Sequence, residues 1–198
     1  RQPLTPRPMG LSSAAIAGAT CPGRWLTITA VVSEFFFQGE LLANKYSIEL
    51  VELTAQPTLV IKSTGAPDQI SERLAERVGR VFEYSDEAGG AQSGMPFMRY
   101  LDMGGDELVV AAGMPLAEAL VGEGDIEAHT LPGGRALTTL HLGDYARVGA
   151  AWDEVWERAE SLGMTRRSGG WDVYTNDPTE VAPKEVETRL YLPLDDVE

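Results

Sequence analysis

The sequence predicts an α+β protein of two similar halves, each running strand, helix, hairpin. Three observations predict it. Residues 169–194 read as two strands joined by a long acidic, proline-containing loop: Trp171-Asp172-Val173-Tyr174, then 185–192. In the second strand Val186, Thr188, Leu190 and Leu192 alternate with Glu185, Glu187, Arg189 and Tyr191. One face is therefore core, and the other carries acids, an arginine and a tyrosine. An earlier stretch has the same order of features. Pro96-Phe97-Met98-Arg99-Tyr100 is followed by a loop and by 107–116, with Tyr100 where Tyr174 sits and Gly113-Met114-Pro115-Leu116 where Tyr191-Leu192-Pro193-Leu194 sits. A repeat of this kind fixes the architecture. The third observation is an apolar stripe at helical spacing before each hairpin.

Taken in order, residues 1–44 stand apart. They hold Arg1, Arg7 and Arg24 against Glu34 and Glu40, so this segment is +1 and the remainder −15. The proline-rich start reads as unstructured. Glu34-Phe35-Phe36-Phe37-Gln38-Gly39 resembles an engineered protease site. The segment is thus expected to be disordered or vector-derived, with the folded domain at 45–198.

Residues 46–61 alternate as two strands broken at Gln56-Pro57, and 63–66 form a turn. Pro67 suits a first helical position, with Asp68 in the first turn. Ile70, Leu74, Val78, Val81 and Phe82 then recur at helical spacing, and the helix ends near Gly89-Gly90. The hairpin containing Tyr100 closes repeat one, about 45–118. A linker at 117–125, with two glycines and three acids, separates the halves.

Repeat two, about 126–196, opens with strands at 126–131 and 135–140 around Pro132-Gly133-Gly134. Asp144 is an N-cap. Val148, Trp152, Val155, Trp156, Ala159 and Leu162 make the stripe of a helix that Gly163 ends. Trp152 and Trp156 read as core. Neither half covers its sheet alone. The halves therefore join their sheets or face each other across a pseudo-twofold axis.

Composition excludes several function classes. The chain has 198 residues and a formal charge of −14, which argues against binding nucleic acid through its phosphates. Acidity suits cationic small molecules. Cys21 is the single cysteine, and His129 and His141 are the two histidines. No cysteine cluster, histidine-rich metal site or Ser-His-Asp site has much to draw on, so neither cofactor nor metal is expected. The apolar stretch at 25–37 is too short for a membrane span, and a cytoplasmic protein is expected. The leading 44 residues show no paired helices of the kind that read DNA.

Asp172 and Tyr174 share a face of their strand, as Glu187 and Tyr191 do of theirs. Two tyrosines and at least two carboxylates are thus expected to gather on one side of the sheet.

Gly143-x-Tyr145 at a helix start, Trp171-Asp172-Val173-Tyr174, Asp177-Pro178 and Thr188-Arg189-Leu190-Tyr191-Leu192-Pro193-Leu194 together resemble the GyrI-like small-molecule-binding family. The same domain is the effector-binding part of some AraC- and MerR-type regulators. The resemblance covers about 46–194 and identifies the chain as a stand-alone member. It implies duplicated β-α-β-β modules related by a pseudo-twofold, with antiparallel sheets, helices on one face and a ligand cleft on the other. It implies bulky, mainly cationic aromatic ligands and a role in drug or toxin tolerance. Where the family usually has Glu in the first motif strand and Thr-Glu in the last, this chain has Asp172 and Arg189.

Within such a cleft Tyr100, Tyr174, Tyr191 and Trp171 offer rings to flat cations, each contributing on the order of 0.5–2 kcal/mol. Met98 adds an adaptable wall, and Tyr145 stands at the mouth. Asp172 and Glu187 neutralise charge, since a partly buried carboxylate favours a cation. Two other classes follow from the resemblance. As a hydrolase of cyclopropane-bearing genotoxins, the chain would use Asp172, Glu187 and Tyr191 to activate water or protonate a strained ring. As an interaction module, it would contact gyrase or another protein, and the acidic loop at 175–185 is the surface to test.

Overall fold

A computed structural model describes residues 45–103, 107–164 and 169–194. The segment 1–44, read above as disordered or vector-derived, lies outside the described residues. The elements are β1 (Glu49–Leu53), β2 (Gln56–Gly65), α1 (Pro67–Glu87), β3 (Phe97–Asp102), β4 (Leu108–Pro115), β5 (Ile126–Leu131), β6 (Gly134–Leu142), α2 (Val148–Ser161), β7 (Trp171–Tyr174) and β8 (Glu187–Pro193). The fold is α+β.

The eight strands form one antiparallel sheet in the order β1-β6-β8-β7-β3-β4-β2-β5. Exchange β1–β4 for β5–β8 and the same order reads backwards. Of the two arrangements open to the sequence, the halves join their sheets. The seam is the β3–β7 pair, where Phe97 faces Val173, Met98 faces Asp172 and Arg99 faces Trp171.

The sheet is curled, and the connections show why. β1 is at one edge and β2 beside the other, yet only Thr54 and Ala55 join them. Only Pro132 and Gly133 join edge strand β5 to β6. Two intervening residues span roughly 10 Å at full extension, so the edges must meet. The two links touch: a Cβ on Gly133 would lie 2.7 Å from the Ala55 nitrogen. The concave face so made encloses Val60, Phe97, Ala111, Leu131 and Trp171.

Both helices lie on the other face, each over its own half. α1 covers β2 and β4, with Val81 packed among Leu59, Ile61 and Met114. α2 covers β6 and β8, with Val155, Trp156 and Ala159 against Leu137 and Leu192. The seam strands β3 and β7 are left as the floor of a gap between the helices.

Small differences from the sequence expectation have local causes. Residues 63–65, expected to turn, continue β2 because Ser63, Thr64 and Gly65 pair with Val110, Val109 and Leu108. Pro183–Glu185 forms a 3-10 turn, so the last strand starts at Glu187. Phe82 falls at the edge of the α1 stripe and is 46% exposed, while Val81 is fully buried. No helix among the described residues is long and apolar enough to cross a membrane.

Candidate ligand-binding cleft

The register of the seam builds the site. Directly opposed residues of an antiparallel pair share a face, and so do their neighbours two positions on. Met98 opposite Asp172 therefore puts Met98, Tyr100, Asp172 and Tyr174 on the helix-bearing face. On β8, Thr188 lies opposite Tyr174 and joins the floor. Leu74 and Val78 of α1 make one wall, and Tyr145 and Val148 at the start of α2 the other. Met95, Asp177 and Pro178 stand at the rim. The cavity holds about 640 Å³, within the range of sites for drug-sized ligands.

Sequence-local devices hold the second wall. Gly143, at φ 114°, turns the chain out of β6. Asp144 then caps a 3-10 turn, accepting from the Ala146 nitrogen at 2.9 Å. This sets the Tyr145 ring edge-on to Tyr174, 5.4 Å between centroids.

Asp172 is the charged group at the floor. It is 2% exposed. Its Oδ2 accepts from the Tyr100 hydroxyl at 2.6 Å, and its Oδ1 from Trp152 Nε1 at 2.9 Å. Burial pushes the carboxyl up to about 7, against the pull of the bonds from Tyr100 and Trp152. Burial, then the charge of Asp172, raises the phenols of Tyr100 and Tyr174 well above their ordinary value. Both stay protonated, so Tyr100 remains a donor. An apolar cavity with rings on its sides and one buried acid beneath can take up a large hydrophobic molecule and favour positive charge.

Residues 46–195 match the family described as GyrI-like small molecule binding domain. The chain belongs to that family. Its fold is similar to the EcmrR C-terminal domain, at 18% identity and a TM-score of 0.67, over 77% of this chain and 99% of that one. Against EcmrR in its DNA complex, this chain spans 58% of the longer chain's length. It is also similar to a hydrolase from Listeria innocua, at 15% identity and a TM-score of 0.51 over 77% and 93% of the chains. A third likeness is to SAV2435 bound to tetraphenylphosphonium, at 13% identity and a TM-score of 0.52 over 75% and 94%. At such identities the likeness shows the fold. No curated protein matches the sequence.

The GyrI-like domain does not bring all the sequence candidates together. Met98, Tyr100, Tyr145, Asp172 and Tyr174 meet in the cleft between the helices. Trp171 and Tyr191 lie on the concave face instead, stacked at 5.5 Å and 18° beside a hollow of about 190 Å³. Alternation within each strand reads as expected, but the match between strands does not. The register sets Trp171 opposite Tyr191 and Asp172 opposite Leu190. The acid therefore shares a face with Thr188 and Leu190, not with Glu187 and Tyr191. One residue of slip would have reversed this. The larger hollow thus lies on the helix face, where the sequence expectation placed the cleft on the other.

Glu187 has a different setting again. It accepts from Thr175 Oγ1 at 3.1 Å, and its nitrogen donates to Asn176 Oδ1 at 2.9 Å. These bonds tie the base of the 175–187 loop whose residues make the rim. Arg189, opposite Val173, does not line the cleft.

Sequence reading also missed residues. Trp152, assigned to core, reaches Asp172 from α2 through its ring nitrogen. No periodicity reports a helix-to-strand hydrogen bond. Leu74 and Val78 pack against the core as their spacing predicts, and they also line the cleft because they lie on the side of α1 that borders the gap. His141 bonds Tyr46 Oη at 2.9 Å through Nδ1, and Nε2 lies 3.1 Å from the Asp144 oxygen. His129 Nε2 accepts from Arg99 Nη1 at 2.9 Å. Burial, then the Arg99 charge, lowers its pKa. No group of metal-binding side chains occurs among the described residues.

Proposed function

We propose that this GyrI-like domain binds bulky hydrophobic compounds, mainly aromatic cations, in the cleft between its helices, and that it serves tolerance of drugs or toxins. The observation that carries this reading is Asp172, a buried acid beneath the rings of Tyr100 and Tyr174 in a mainly apolar cavity with a second acid, Asp177, at its rim. Most of the affinity comes from removing a large apolar surface from water. The acid decides sign, because an anion beside a buried carboxylate pays repulsion without compensation. The tetraphenylphosphonium named in the SAV2435 structure is a ligand of this kind.

Fluorescence anisotropy with a planar cationic dye, and neutral and anionic dyes of similar size, tests it. Binding of the cation alone, weakened in Asp172→Asn, supports the reading. Equal binding of all three, or of none, defeats it.

One observation favours a second reading. The Asp172 carboxyl sits near neutrality, where an acid both gives and takes protons, and a hydrolase shares the fold. The chain would then open a strained ring such as the cyclopropane of a genotoxin. Engagement of both carboxyl oxygens by protein donors weighs against it. Product formed at many equivalents per protein, and abolished in Asp172→Asn, would establish turnover.

A further inference from the structure

The way Asp172 is held bears on which cations the cleft takes. A carboxylate that recognises an ammonium ion does so by accepting its N–H bonds, which offset the loss of the ion's strong hydration. Asp172 is already committed. Tyr100 occupies Oδ2 at 2.6 Å and Trp152 occupies Oδ1 at 2.9 Å. The residue is 2% exposed, and its cross-strand neighbours Met98 and Leu190 are apolar. Neither donor is free to swing away. The Tyr100 and Trp152 rings meet edge-on at 5.7 Å. The Trp152 ring lies over Gly170, where a Cβ would come within 2.5 Å of it.

Resting on the cation-site reading above, we propose that Trp152 is a specificity-determining residue. With Tyr100 it takes an acceptor site on each oxygen of a carboxylate that is 2% exposed, so that the cleft prefers cations without N–H donors, quaternary ammonium and phosphonium ions, over primary ammonium ions on the same apolar body. A quaternary cation enters with no donor to satisfy and feels the acid as a field. A primary ammonium sheds water and finds the carboxylate engaged, with the neutral Thr188 Oγ1 on the floor and the exposed Asp177 at the rim left to accept from it. Trp152 is absent from the cleft wall and acts only through Asp172. It lines a neighbouring hollow of about 360 Å³ with Tyr100 and Trp156.

The test uses pyrenylmethyl-trimethylammonium and pyrenylmethylammonium at about pH 8, where both probes and the acid are charged. The added methyl groups favour the first probe in any apolar site, so the readout is the change in the ratio of affinities between proteins. Trp152→Phe keeps a ring of similar placement and frees Oδ1. Losing the donor raises the Asp172 value and weakens both cations alike at this pH, so the ratio of primary to quaternary affinity should rise about tenfold, as a hydrogen bond to a charged group implies. Tyr100→Phe frees Oδ2 and should act in the same direction, so the outcome does not hang on one folded variant. A ratio unchanged in both variants overturns the inference while leaving the cation site intact. Binding of neither cation, with neutral pyrene still bound, overturns the underlying reading as well.

Discussion

The Tyr100 hydroxyl lies 2.6 Å from Asp172 Oδ2, across the seam where β3 of the first half meets β7 of the second. The acid of one half is therefore held by the other. The pair opposite Asp172 in the register, Met98, sits at the matching position of the first half and carries no charge. At this matched position only β7 carries an acid, so the floor is electrostatically lopsided although the strand order is symmetric.

Tyr100→Phe removes a donor that holds the Asp172 value down, so the carboxyl should rise beyond about 7. A value raised on folding stabilises the protein fully below the unfolded value, and the benefit is lost as pH rises through the folded one. The variant should therefore lose more stability at about pH 9 than at about pH 6, by roughly 1.5–3 kcal/mol. Urea unfolding at both pH values measures this. Equal losses at the two would show that the bond does not act on an ionised carboxylate.

Cation affinity should follow the same group. With the carboxyl near 7, its ionised fraction rises about tenfold between about pH 6 and pH 8, and binding of a permanently charged cation should tighten by the same factor. Asp172→Asn should bind weakly, with a flat profile. The phenols of Tyr100 and Tyr174 are pushed up by burial and stay neutral throughout. A cation titration series in wild type that shows no pH dependence would remove Asp172 from the site.

Much of the architecture was legible because local rules act on it. The Pro67 start, the α1 and α2 stripes, the Asp144 cap and the alternation of β8 each rest on a few adjacent residues, and each is found. The site was less legible because it depends on register. Asp172 and Tyr191 lie on opposite faces through one pairing, Asp172 with Leu190, that neither strand encodes alone. Trp152 was hidden for a related reason: a tryptophan in an apolar stripe reads as packing, and its ring nitrogen finds a partner only when α2, lying over β6 and β8, brings it beside Asp172 of β7.

Tyr145 and Tyr191 should separate the two faces. Tyr145 is 36% exposed in a 3-10 turn, so Tyr145→Ala should leave stability nearly unchanged and weaken cation binding about fivefold to tenfold by removing a ring. Tyr191 stacks on Trp171 beneath the sheet, so Tyr191→Ala should cost about 2–4 kcal/mol of stability and leave cation affinity in place. Thermal melts and dye titrations of both variants decide it. A binding loss confined to Tyr191→Ala would move the ligand to the concave face.

Gly170 offers the last test of how the acid is held. A Cβ there would lie 2.5 Å from Trp152 Cη2, 2.9 Å from Cζ3 and 3.1 Å from the Tyr191 oxygen. The backbone oxygen cannot yield, so in Gly170→Ala the indole must shift and give up its 2.9 Å bond to Asp172. Overpacking of this kind costs about 1–3 kcal/mol. Gly149, on α2 with nothing within 4 Å of its added Cβ, supplies the comparison. Gly149→Ala should be neutral or stabilising by up to about 1 kcal/mol, as alanine favours a helix. Losing the indole bond should also raise the Asp172 value, so Gly170→Ala should need a higher pH than wild type to reach full cation affinity. If Gly170→Ala matched Gly149→Ala in stability and kept the wild-type pH profile, the lock on Trp152 would lie elsewhere than in this close approach.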